Sequence, residues 1–231
     1  MDLLIFDIET IPQQTPLTDS QKVLLAKELK RFYPDGPPDA LPSDKEFLDY
    51  KEEYRKQCAV NPYLGEIVCI CTMRVSEDRF KPGSIKTHIE SFYGSEKSML
   101  EGFWNYIRRE KFRFVSYNGL GFDIHWILKK SMKYGIRPTN DDFLVTRRFQ
   151  RWPHFDVMAI LQDWDRRFSV PLDLACETFG IQTPKGGAIV AKTVEQAYKS
   201  GNIAGIVEYC EKDLTATHEL YKIVSQYQPK T

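Results

Sequence analysis

Residues 3–12, LLIFDIETIP, constrain this chain more than any other stretch. They begin as an unbroken apolar run, the mark of a strand buried on both faces. The run then meets Asp7 and Glu9, two apart, with Pro12 behind them. Carboxylates avoid burial, and Asp is a poor strand former. Side chains at i and i+2 of a strand share a face. Both acids therefore project together from the C-terminal end of the strand, the edge where open α/β sheets take ligands. Like charges held this close repel unless a cation lies between them. Taken alone, the pair also fits two solvated carboxylates where a strand leaves the core.

A chain of 231 residues with 42% hydrophobic side chains can bury a sizeable core. We expect one domain over 1–231, with a helical insertion at about 12–63. The formal net charge is zero, which argues against a protein that simply coats nucleic acid and leaves a local grip on a few phosphates open. The five cysteines (Cys58, Cys69, Cys71, Cys176 and Cys210) include no CxxC pair, so the spacing of a zinc site is missing. Cys69 and Cys71 alternate within GEIVCICTMRV and read as core thiols on one face of a strand. Free thiols imply a reducing, cytoplasmic setting. The N-terminus lacks the pattern of a signal peptide, and no apolar stretch reaches membrane-spanning length, so no membrane role is expected.

Strands are predicted at 3–8, 65–76, 85–93 and 112–117, the second and third forming an antiparallel hairpin around SEDRFKPG. Helices are predicted at 95–110, capped by Ser95, and at 122–135, 171–179, 193–200 and 203–227. Residues 154–161, HFDVMAIL, suit either state. The 12–63 excursion holds two charged, helix-like pieces, 17–33 and 44–57, with too little apolar content for a core of its own. This order suits a mixed sheet with helices on both faces.

Two further carboxylate settings stand out. In SYNGLGFDIHWIL, Asp123 follows a strand and a glycine-bearing turn and opens a helix. A helix-start acid favoured by the macrodipole has the same appearance. In EYCEKDLTATHELY, Tyr209 and Asp213 are i and i+4 on one helix, at the edge of a stripe made by Ile203, Ile206, Cys210, Leu214 and Thr217. A surface acid beside a half-buried tyrosine would look alike. Together the three settings bring four acids from two strand ends and two helices, and hard divalent cations want such oxygen ligands. A two-metal site built this way clamps the attacking and leaving oxygens of a displacement at phosphorus. A tyrosine hydroxyl can orient, or help deprotonate, the attacking water.

FDIET, YNGLGFD and YCEKD resemble the three exonuclease motifs of the DEDD superfamily of 3′–5′ exonucleases, in its tyrosine form. VCICTMRV, HFDVMAIL and LACETFGI followed by PKGG resemble the exonuclease domain of family B DNA polymerases, and the chain is most similar to stand-alone predicted exonucleases related to it. The resemblance implies an α/β fold, ribonuclease H-like, with a mixed five-stranded sheet and helices on both faces. It implies metal ligands at Asp7, Glu9, Asp123 and Asp213, with Asp7 bridging two ions, Mg2+ or Mn2+, and a water-positioning Tyr209. Thr10 and Asn118 match positions that approach the terminal nucleotide. Phe122 fits base stacking or the core, and Lys185 fits a phosphate contact or a plain loop lysine. The implied reaction is hydrolysis at single-stranded 3′ ends, DNA favoured over RNA, releasing nucleoside 5′-monophosphates.

Arg147, Arg148 and Arg151 beside Trp152 suit phosphate contact with base stacking, or a solvated run over a core tryptophan. Lys129, Lys130 and Lys133 read as a solvated helix face, and His125 and His154 as non-ligands. Two other classes remain. One is a catalytically silent nucleic-acid-binding module of the same fold. The other is an aspartate-nucleophile phosphatase using DIET, although that chemistry usually wants Asp where Glu9 stands.

Overall fold

A computed structural model describes residues 1–32, 51–78, 80–81, 83–183 and 189–229. The chain divides into two compact units, Met1–Glu9 with Cys69–Thr231, and Thr10–Val68.

In the first unit, the apolar run forms β1 (Asp2–Pro12), whose last residues pass into the second unit. β2 (Gly65–Glu77) and β3 (Ile85–Tyr93) pair antiparallel, with Cys71 opposite Ser91. β4 (Phe112–Ser116) runs parallel to β1, and β5 (His154–Asp156) parallel to β4. The sheet order is β3-β2-β1-β4-β5, a mixed five-stranded sheet as expected. Parallel neighbours place the C-terminal ends of β1, β4 and β5 at one edge, and crossover loops leave the sheet there.

Helix α3 (Glu96–Tyr106) starts at Ser95, whose hydroxyl accepts from the Ser98 amide at 3.2 Å, and buries Met99, Leu100, Phe103 and Trp104. Next come α4 (Asp123–Lys133), α5 (Val157–Leu161), α6 (Leu172–Thr178), α7 (Val194–Lys199) and the long α8 (Ile203–Val224). HFDVMAIL thus splits. Three residues complete β5, and Asp156 then caps α5 by accepting from the Ala159 amide at 3.0 Å. The stripe on α8 (Ile206, Cys210, Leu214 and Thr217) is buried, and the helix packs on β3, β4 and α5 to α7.

Phe6, Phe114 and Phe143 meet edge-on or tilted at 5.1–6.4 Å, and His154 stacks on Phe114 at 5.1 Å. Such pairs add about 0.5–1.5 kcal/mol beyond burial. They fix β1, β4 and β5 against one another and so fix their C-terminal ends.

The second unit holds α1 (Asp19–Phe32) and α2 (Lys51–Ala59). Leu25, Cys58 and Leu64 are fully shielded together, with Leu17 and Leu24 against them. The excursion therefore owns a small core after all, because a few well-placed leucines suffice for two short helices. Positions 44–50 of the second helix-like piece lie outside the described residues.

Candidate active site

Alternation along β1 sends Phe6 into the aromatic core and Asp7 and Glu9 to the opposite face. Both acids are partly buried. Asp7 Oδ2 accepts from the Cys210 thiol of α8 at 3.3 Å. Ligand atoms of Asp7, Glu9 and Cys210 lie within 4.8 Å of one another.

The second segment is a loop held by a carboxylate that the sequence reading did not single out. Asp156, 2% exposed, accepts from the amides of Asn118 and Leu120, both at 2.9 Å, as well as from Ala159. Asn118 takes a left-handed conformation, φ 68°, which Asn tolerates better than most residues. The two glycines are required by close approach. A Cβ on Gly119 would lie 2.3 Å from Ser116 Oγ, and one on Gly121 would lie 2.4 Å from Asn118 Oδ1. The loop delivers Asp123 as the first residue of α4, 2% exposed. There its Oδ1 accepts from the Ile8 amide at 3.0 Å.

The third segment lies on α8. Tyr209 and Asp213 flank the buried stripe and are both half-buried. Asp213 Oδ1 is buried with no hydrogen-bond partner. Asp173 on α6 acts electrostatically on both residues.

Burial raises the proton affinity of all four acids, and their neighbours' charges raise Asp7 and Glu9 further. Burial is the largest cause for Asp7, followed by the charges of Asp123, Asp213 and Glu9, and its carboxyl sits well above the usual range. Glu9 is likewise well raised, by burial, then Asp213, Cys71 and Asp123. Burial lifts Asp123 to about 7, although the Ile8 amide favours its ionised form. Burial and then Asp173 lift Asp213 to about 7. Burial, followed by the charges of Asp213, Glu9 and Asp7, pushes the Tyr209 hydroxyl far up, so it stays protonated. Among the described residues no lysine or arginine forms an ion pair with any of the four acids. Uncompensated carboxylates and an orphaned, buried Asp213 oxygen form a donor set that fits hard divalent cations.

The structure thus brings together Asp7, Glu9, Asp123, Tyr209 and Asp213. Thr10 belongs to the second unit, where its hydroxyl donates to the Ala59 carbonyl at 2.6 Å. Phe122, half-buried, tilts against Trp126 at 5.7 Å. Lys185 lies outside the described residues. Lys130 is not part of a solvated face. It is 3% exposed and pairs with buried Glu96 at 3.4 Å, because its position turns inward toward α3. Trp152 is not a core residue; it is 40% exposed, with the Arg113 guanidinium 6.0 Å from its ring. Arg147 and Arg148 are exposed. His154 is a core histidine bonded to the Phe143 carbonyl at 3.0 Å. Besides Asp156, the sequence reading did not single out Asp173, and it took Cys210 only as part of the apolar stripe. An Asp directly before an apolar helical run was the available signal for Asp156.

The fold is a mixed α/β domain that carries a carboxylate cluster, and comparison with known proteins shows what it is similar to. The family B DNA polymerase from the hyperthermophilic archaeon Pyrobaculum calidifontis matches 98% of this chain with a TM-score of 0.56 and 15% sequence identity, a likeness of fold alone. The match covers 25% of the polymerase chain, so this chain spans about a quarter of that protein. No curated protein matches the sequence. Residues 60–230 match the family of predicted 3′–5′ exonucleases related to the exonuclease domain of PolB, and the chain belongs to that family. The matched region contains Asn118, Phe122, Asp123, Tyr209 and Asp213, while Asp7 and Glu9 precede it. Among the described residues no helix is long and apolar enough to cross a membrane.

Proposed function

We propose that this member of the exonuclease family uses two divalent cations, Mg2+ or Mn2+, to remove nucleotides from single-stranded 3′ ends. DNA is preferred over RNA, and nucleoside 5′-monophosphates are released. Residues 1–231 act as one exonuclease domain with 12–63 as a helical insertion. The observation that carries the reading is the convergence of Asp7, Glu9, Asp123 and Asp213, uncompensated by any described cation, with one Asp213 oxygen buried and unpartnered.

Asp7, which feels the charges of the other three acids, would hold the cations together with Glu9, Asp123 and Asp213. Divalent cations held by these four carboxylates would supply charge stabilisation for the oxygens of a displacement at phosphorus. Tyr209 keeps its proton, so it acts by donating a hydrogen bond that orients the attacking water, not as a base. Asp156 holds the 118–121 loop and, through it, the position of Asp123. Asn118 and Phe122 carry the contact to the terminal nucleotide.

The test is a gel time course with 5′-labelled single-stranded DNA and RNA, in Mg2+, Mn2+ or chelator, for wild type and Asp7→Ala. The expected result is a cation-dependent ladder shortening from the 3′ end, faster on DNA and absent in Asp7→Ala. Bound oligonucleotide without any ladder would replace this reading with a silent binding module.

A further inference from the structure

We propose that Cys69, Cys71, Cys210 and Asp7 form a binding site for a soft divalent cation of the zinc class, and that its occupation silences the nuclease. The silencing half rests on the proposed role of Asp7; the binding half does not.

The sequence lacks the usual spacing for such a site, because its ligands come from distant segments. β2 puts Cys69 and Cys71 on one face, and α8 lays Cys210 over them. The three sulfurs lie within 4.8 Å of one another. Thiolates at about 2.3 Å from a tetrahedral zinc stand roughly 3.8 Å apart, so small side-chain rotations close the set. Asp7 Oδ2, 3.3 Å from Cys210 Sγ, groups with that thiol and Glu9, and becomes the fourth ligand by swinging toward Cys69 and Cys71. All three cysteines are 0% exposed, while Asp7 is only partly buried, so a cation enters from the carboxylate side.

Buried cysteines that merely fill space sit among apolar groups. Here Cys210 instead donates to a carboxylate and faces two other thiols. Sulfur ligands select zinc-class ions, whereas the all-oxygen cluster beside them selects magnesium-class ions. Asp7 stands in both sets and cannot serve both with the same oxygen. Binding releases the three thiol protons to solvent and changes no oxidation state.

The test uses the reduced, metal-free full chain. Cobalt(II) is the spectroscopic probe and zinc its competitor. One equivalent of cobalt should produce sulfur-to-metal charge-transfer absorption and tetrahedral visible bands, both erased by zinc. Both should be lost in Cys69→Ala/Cys71→Ala, checked for folding by circular dichroism. Zinc should inhibit hydrolysis in excess Mg2+ for wild type and not for that variant. A cobalt spectrum of folded wild type without charge-transfer bands overturns the proposal, whether or not the double variant folds. Zinc inhibition unchanged in the folded variant overturns the silencing half. A chain that shows the cobalt bands but no hydrolysis keeps the thiol site and sinks the exonuclease reading instead.

Discussion

The amide of Ile8 donates a hydrogen bond to Asp123 Oδ1 at 3.0 Å, across 115 residues of sequence. Ile8 lies between Asp7 and Glu9. The first residue of α4 is therefore latched to the strand that carries two of the other acids. One Asp123 oxygen serves this latch, and the carboxyl also interacts with that of Asp7. Asp123→Asn should keep the latch, since an amide oxygen also accepts, while losing the charge. We expect a melting temperature in chelator no lower than that of wild type, since a buried charge is removed, and a loss of activity beyond the roughly 10–100-fold typical of an outer partner of a metal ligand. Asp123→Ala should also lose stability, about 1–3 kcal/mol, for the buried Ile8 amide left unpaired. Thermal melts and initial rates on single-stranded DNA separate the two.

Asp156 touches none of the other acids through a hydrogen bond, yet three amides depend on it. Asp156→Ala should lower the melting temperature and reduce kcat by roughly 10–100-fold through misplacement of Asp123. Asp156→Asn, which still accepts, should recover part of both. A rate loss that Asn does not rescue, with stability intact, would mean that Asp156 acts in the chemistry and not in positioning.

Gly119→Ala should be worse than Gly121→Ala. The first adds a methyl against Ser116 and, at 3.3 Å, the Phe6 ring, both anchored in the sheet. The second meets the end of the Asn118 side chain, which can swing away. Overpacking of the first kind costs about 1–3 kcal/mol. Gly121→Ala should fold and raise KM by displacing Asn118, which steady-state kinetics would show.

Tyr209→Phe should lose less activity than Asp7→Ala, because the carboxylates remain. A protonated hydroxyl is no base, so the loss should fall short of the about 10²–10⁴-fold typical of acid–base groups, with the pH profile unchanged. A profile that loses one limb would show that Tyr209 transfers a proton.

Asp123 and Asp213 rise from 3.8 unfolded to about 7 folded, so between these values the folded state holds protons that the unfolded state has released. Their contribution to stability is complete below about pH 4 and is lost as pH rises through about 7. The metal-free protein should therefore weaken across that window. Cations compete with those protons, so the rise in melting temperature on adding Mg2+ should be small near pH 5 and large near pH 8. Melts in chelator and in Mg2+ over this range check it. A pH-independent Mg2+ effect would place the ion elsewhere.

Much of this protein was legible in one dimension. Alternation along residues 3–12 puts Asp7 and Glu9 on one face, and the i, i+4 spacing puts Tyr209 beside Asp213, because strand and helix periods are local properties of the backbone. The same local logic located Ser95 as a cap and the stripe on α8. Tertiary structure alone decided which faces meet. It turned Lys130 inward onto Glu96 and left Trp152 at the surface. It carried Asp156 under the 118–121 loop and drew Cys210 onto Cys69, Cys71 and Asp7. These are contacts between segments up to about two hundred residues apart. Periodicity fixes the direction of a side chain from its own element, but the neighbour it finds depends on how the sheet orders its strands and where each crossover returns the chain.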